Sequence, residues 1–113
     1  MKPASYLQDH DVLVFELKGK IMGGPDAVIF HDELKKAVAA GQRKIVLDLG
    51  QVEWMNSSGL GMLISALTTT RNNNGEMKLA CSTDKITSLL VITKLDSVFE
   101  TFATVNDAVA SFA

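Results

Sequence analysis

Apolar and polar residues alternate in two rhythms along the chain, one of strands and one of helices. Val12 to Ile21 (VLVFELKGKI) is rich in β-branched and aromatic residues and stops at Gly23-Gly24, which predicts a strand closed by a turn. Tyr6 to His10 is expected to pair with it as a short edge strand. Pro25 suits the first turn of a helix, and Phe30, Leu34, Ala37 and Val38 follow at spacings of four, seven and eight before Gly41 ends the stripe. Lys44 to Leu49 (KIVLDL) is a nearly continuous apolar run of the kind buried on both faces of a parallel sheet, and is read as the central strand. From Ser58 onward, Leu60, Leu63, Ile64 and Leu67 fall at i, i+3, i+4 and i+7, predicting a helix whose pattern ends in Arg71-Asn72-Asn73-Asn74-Gly75.

Lys78 to Ser82 (KLACS) reads as another buried strand, with Cys81 as a small buried hydrophobe inside it. Asp84 is expected to cap a helix carrying Ile86, Leu89 and Leu90 on one side, and Val98 to Phe102 reads as a weaker strand. Thr104-Val105-Asn106-Asp107 resembles a capping box, followed by Val105, Ala108, Val109 and Phe112 on one helical face. The order is β-β-α-β-α-β-α-β-α, and strands linked through helices run parallel with right-handed crossovers. The expected fold is therefore α/β: a mixed sheet of four or five strands, its first pair antiparallel or mixed, with about four helices. Asn72 to Glu76 is expected to be a mobile loop.

Composition narrows the picture. A chain of 113 residues, 47% hydrophobic, buries roughly two-thirds of its unfolded surface, enough for one domain over residues 1–113 without a metal or disulfide staple. Eleven basic against 13 acidic side chains leave a formal charge of −2 with no long basic run, so neither nucleic acid nor an anionic membrane surface is an expected partner. One cysteine cannot form an internal disulfide, which suits a reducing compartment. The first residues, MKPASYLQDHD, lack the apolar core of a signal peptide, and Trp54 to Thr70 is too polar to span a bilayer. A cytoplasmic location is expected.

In open sheets of this kind functional groups gather at the carboxyl ends of the parallel strands. Two loops qualify: Gly19 to Pro25, and Glu53 to Gly61. If their strands are neighbours, they form one surface. Ser57 and Ser58 stand at a helix start, near unpaired N–H groups and the positive end of the helix dipole, a place that suits an anion. Gly59 and Gly61 remove Cβ atoms that would crowd an approaching group. The alternative is that one serine merely caps the helix while the glycines make the turn.

Enzymatic chemistry finds little support. A serine nucleophile needs a base, and the only histidines are His10, beside the first strand, and His31, expected to be exposed on the first helix. The two histidines and Cys81 do not make a metal site, and no cofactor constellation is present. Gly19, Gly23 and Gly24 lack the lysine and hydroxyl of a phosphate-binding Walker loop and read as a turn. Asp48 is expected to support the fold and do no chemistry. Met22, Trp54, Met55 and Met62 cluster near the candidate face, a composition suited to partner contact as well as core, with core the default for Met62.

The stretch Ile45-Val46-Leu47-Asp48-Leu49, then Val52 to Leu63 with its Asn56-Ser57-Ser58-Gly59-Leu60-Gly61, resembles the STAS domains, named for sulfate transporters and anti-sigma factor antagonists, in their small stand-alone bacterial form. Leu17-Lys18-Gly19-Lys20-Ile21, Gly75-Glu76-Met77-Lys78-Leu79 and Leu95-Asp96-Ser97-Val98-Phe99 extend the resemblance over nearly the whole chain. It implies a non-enzymatic regulator that works by partner switching. The unphosphorylated domain binds a serine-kinase anti-sigma factor and frees the sigma factor, phosphorylation breaks that binding, and a PP2C-type phosphatase reverses it.

Ser58 matches the phosphorylated position better than Ser57, with Met22, Gly23, Gly24, Trp54, Met55, Asn56, Ser57, Ser58 and Gly59 as the implied partner-binding face. Antagonists of the family usually carry aspartates where this chain has Asn56 and Met22. Loss of that charge is expected to make phosphorylation by a generic family kinase slow, leaving a dedicated kinase or none. Relatives that serve as constitutive scaffolds, or as small subunits of lipid-transport or signalling complexes, are the alternative.

Overall fold

The computed structural model describes residues 4–113; Met1 to Pro3, at the head of the segment read as lacking a signal peptide, lie outside the described residues. Five strands, β1 (Ala4–Gln8), β2 (Val12–Ile21), β3 (Lys44–Met55), β4 (Glu76–Ala80) and β5 (Thr101–Phe102), alternate after β2 with four helices, α1 (Pro25–Ala39), α2 (Ser57–Asn72), α3 (Asp84–Ile92) and α4 (Val105–Ala110). The strands stand in the sheet in chain order. β1 is antiparallel to β2, and all later pairs are parallel, so β3 is the central strand as its apolar run predicts. This is a single α/β domain with a mixed sheet and the expected order of elements.

Chain-order strands joined by right-handed crossovers place all crossover helices on one face. The main core follows from that: Phe15, Leu17, Ile45, Leu47 and Leu49 of the sheet pack under Phe30 and Leu34 of α1, Leu63 and Leu67 of α2, and Ile86 and Leu90 of α3. The opposite face carries a smaller core in which Val12, Val14, Val46 and Ala80 meet Ala108 and Val109 of α4. Being only six residues long, α4 covers only part of that face.

Several boundaries differ from the sequence reading, each for a visible reason. The edge strand is Ala4–Gln8, because Asp9–Asp11 form a 3-10 turn with His10 and Asp11 at positive φ. β3 runs on to Met55, six residues past Leu49, because beyond Asp48 it loses β4 but keeps β2. One-sided cover is what makes that continuation look like a loop in its residue pattern. β4 ends at Ala80, so Cys81 and Ser82 lie outside the strand, and Cys81 is half-buried at φ 60°. β5 is reduced to two residues, with Phe99 buried in the turn before it.

Asn72 to Glu76 is no long loop. Asn72 ends α2 and Glu76 begins β4, and the amides of Asn73 and Gly75 donate to the Thr70 carbonyl. On α2, Leu60, Leu63 and Leu67 are buried while Ile64 is 38% exposed, since the buried stripe turns toward Met62 and Ala66. Thr83, and not Asp84, caps α3, its hydroxyl accepting from the Ile86 amide, while Thr104 caps α4 as the capping-box reading requires.

Candidate functional site

Past the end of β4, β2 and β3 continue as a two-stranded ribbon whose last rungs pair Lys20 with Trp54 and Ile21 with Met55. The ribbon brings both candidate loops to one edge. The Asn56 amide donates to the Ile21 carbonyl at 3.3 Å, joining the start of one loop to the end of the other. Gly59 is buried directly above, and a Cβ there would run into the same Ile21 carbonyl oxygen. Gly23 sits at φ 80° against Ser58: a Cβ on it would lie 2.9 Å from the Ser58 Cβ. Two glycines thus let the α2 N-terminus seat on the β2 turn.

The cap of α2 is Asn56, its side-chain oxygen accepting from the Gly59 amide at 2.8 Å. Neither serine performs that task. Ser57 and Ser58 are the first two helical residues and both are exposed, so their hydroxyls stand free at the positive end of α2, where first-turn N–H groups have no intrahelical acceptor. Gly24 caps α1 at φ 72° and leaves the neighbouring surface bare, and Gly61 has nothing within 4 Å of its Cβ position.

The structure sorts the nine implied face residues into separate groups. Gly23 touches Ser58 at the α2 start, Asn56 and Ser57 precede Ser58 there, and Met22, 50% exposed, and Gly24 flank Gly23 in the chain. Met55 and Gly59 are buried and form the floor beneath them. Trp54, next to Met55 in an alternating strand, turns the other way and is 37% exposed on the far side of the ribbon. Met62 is buried, as its default reading has it.

Other candidates fall elsewhere. Asp48 is half-buried and accepts from the Gly50 amide at 3.0 Å, a contact within its own strand. Burial, and then the Asp48 carboxylate, push the Cys81 thiol up and keep it protonated. His10 is exposed in the turn between β1 and β2, where its backbone carbonyl accepts from the Lys44 ammonium at 2.9 Å. His31 is half-buried, contrary to the exposure expected of it, because it faces a cleft between α1 and α2. In the residue pattern that cleft shows only as Val28 and Ile29 standing off the apolar stripe of α1. Among the described residues no three histidine, cysteine, aspartate or glutamate side chains gather as a metal-ligand set, and no helix is long and apolar enough to cross a membrane.

A mixed sheet in chain order with a glycine-seated, serine-bearing helix start defines a class of small α/β modules, and the comparison with known families agrees. The chain belongs to the STAS domain family, whose model matches residues 4–108. It is similar, at 29% identity over 80 residues, to a Thermotoga maritima protein described as a candidate anti-sigma factor antagonist, over 71% of this chain and 67% of that one. A Bordetella bronchiseptica protein of the same description, BtrV, is 27% identical over 101 residues, 89% of this chain and 86% of its own.

Among solved structures, a Thermotoga maritima candidate antagonist superposes with a TM-score of 0.87 at 22% identity, over 97% of this chain and 93% of that one. The Bacillus cell fate determinant SpoIIAA in its phosphorylated form gives a TM-score of 0.77 at 15% identity, over 98% and 99% of the two chains. These likenesses establish the fold.

Proposed function

We propose that this domain is an anti-sigma factor antagonist that works by partner switching: unphosphorylated, it binds a serine-kinase anti-sigma factor through the α2 start, and phosphate on Ser58 releases it. The observation that carries the reading is the division of labour at that helix start. Asn56 takes the cap and leaves the Ser58 hydroxyl exposed and uncommitted. The descriptions of the two curated relatives support the same role. Such a module binds and is modified; it catalyses nothing itself, needs no cofactor, and acts in the cytoplasm.

A phosphate on Ser58 adds about −1.5 to −2 charge and three acceptor oxygens. At the first turn of α2 that charge is favoured by the helix dipole, so the domain itself has no reason to unfold. The cost falls on the complex, where a surface fitted to a neutral hydroxyl beside Gly23 would have to desolvate a dianion. A PP2C-type phosphatase would restore the neutral face. Met22, exposed where family antagonists carry an aspartate, favours a second reading, a constitutive scaffold that binds its partner without phosphorylation.

Incubation of the protein with ATP and each serine-kinase anti-sigma factor of its genome, followed by intact mass and fragmentation, separates the two. Phosphate on Ser58, absent in Ser58→Ala, is the expected result. An unmodified protein that nonetheless binds one of those kinases would replace the switch with the scaffold.

A further inference from the structure

The cleft between α1 and α2 is lined by Ala27, Val28, His31 and Asp32 on one side and Met62 and Ser65 on the other, and encloses about 270 Å³. That falls below the roughly 300 Å³ at which pockets for drug-sized ligands begin. Its lining is mainly apolar, and Val28 is 60% exposed at its rim. The Asp32 carboxylate is exposed and makes no hydrogen bond or ion pair among the described residues, Lys35 and Lys36 a turn further along α1 included. The helix register places the cleft next to the Ser58 surface. On α2, Ser58, Met62 and Ser65 fall at i, i+4 and i+7 on one stripe, about 10 Å of helix, and on α1 the lining begins one turn after the Gly23-Gly24 corner that touches Ser58.

We propose that this cleft receives one apolar side chain flanked by a basic residue, presented by the same partner protein that covers Ser58; the inference rests on the partner-binding reading above. The apolar side chain fills the space over Met62 between Val28 and Ser65, and the neighbouring cation pairs with Asp32. The occupant is assigned by charge. An exposed carboxylate that forms no ion pair at the mouth of an apolar cleft favours basic segments over acidic ones, and its pairing strengthens as the partner excludes water. The cleft thereby supplies partner selectivity that phosphorylation does not touch, while Ser58 decides whether the complex forms.

Two measurements test this. In the first, 15N-labelled protein is titrated with 2-phenylethylammonium and with phenylacetate, probes of similar shape and opposite charge. The ammonium is expected to shift the amides of Val28, His31, Met62 and Ser65 at millimolar concentration, phenylacetate several-fold less, and Asp32→Asn to remove the difference. No shift from either probe, or equal shifts from both in the unmodified protein, overturns the proposal, as do shifts of the same amides with protein concentration alone, which would make a second copy the occupant.

In the second, the anti-sigma kinase of the same genome is titrated against Val28→Glu, Asp32→Lys and a distant control, Ile92→Ser on α3. The first two are expected to lose at least tenfold in affinity and the control to bind as the unmodified protein does. Full binding by both cleft variants, with binding abolished by Ser58→Glu, overturns the cleft and leaves the Ser58 reading intact. If the kinase does not bind the unmodified protein, the Ser58 reading fails instead, and the probe titration alone decides the cleft.

Discussion

Asn56 caps α2 while Ser58, two residues on, stays exposed, and substitutions can separate the cap from the switch proposed for Ser58. The Asn56 side chain satisfies the Gly59 amide, and an aspartate would do the same while adding a negative charge at the helix start. Thermal unfolding should therefore show Asn56→Ala less stable by about 1 kcal/mol and Asn56→Asp equal to or slightly above the unmodified protein. An Asn56→Ala protein as stable as the original would mean that a serine takes over the cap, and would remove the ground for calling Ser58 uncommitted. The sequence placed a helix start in this loop, and the family resemblance implied Ser58 within it. It did not show which side chain caps, since asparagine and serine are equally good caps and only the backbone angle at residue 56 decides between them. Nor did it separate Met55 from Trp54, because a strand's alternation becomes visible only once the strand is known to continue through them.

At the scale of elements, long periodic segments were legible and one-sided ones were not. α1, α2 and the buried half of β3 each carry a full apolar stripe or run, and all three appear where the pattern puts them. The ribbon extension of β3 and the two-residue β5 depend on neighbours that no local pattern records. Lys78 is an instance of the same limit: a charged residue in an apolar strand, its side chain is only 9% exposed.

The structure accounts for Lys78 through the residues that follow α4. Its ammonium donates to the Ser111 hydroxyl at 2.8 Å, lies 4.2 Å from the centre of the Phe112 ring, and meets the Glu100 carboxylate at 3.5 Å. The stem fills the space beneath the last turn of the chain while the charge is paired at its tip. Lys78→Ala should cost about 2 kcal/mol and speed hydrogen exchange in α4 before the rest of the sheet, whereas Lys78→Met, which keeps the stem, should retain most of that protection. Equal exchange in the two variants would assign the clamp to the charge and not to packing.

For the whole molecule, Tyr6 and Cys81, among the described residues, lie against the smaller core on the sheet face that α4 leaves partly bare. Burial raises the Tyr6 phenol, helped by the charges of Glu16 and Asp48, and burial raises the Cys81 thiol, helped by Asp48. Both groups hold their protons to higher pH when folded than when unfolded. The unfolded chain therefore releases protons first, and stability falls as pH rises through roughly 8.5 to 10 and beyond. Denaturant unfolding followed across that range should show the decline, reduced in Tyr6→Phe and Cys81→Ala. A flat profile would contradict the assignment.

The central claim is that one hydroxyl decides whether the assembled face can be covered. Moving a complex from 99:1 bound to 1:99 takes about 5.5 kcal/mol of differential binding, within reach of a desolvated dianion together with the hydrogen bonds it would break around it. Titration calorimetry of the unmodified protein, Ser58→Ala and Ser58→Glu against the anti-sigma kinase of the same genome measures this directly. The account predicts tight binding by the first two and a loss of at least tenfold for Ser58→Glu, with all three unfolding at similar temperatures. Equal affinities for the three proteins would contradict it.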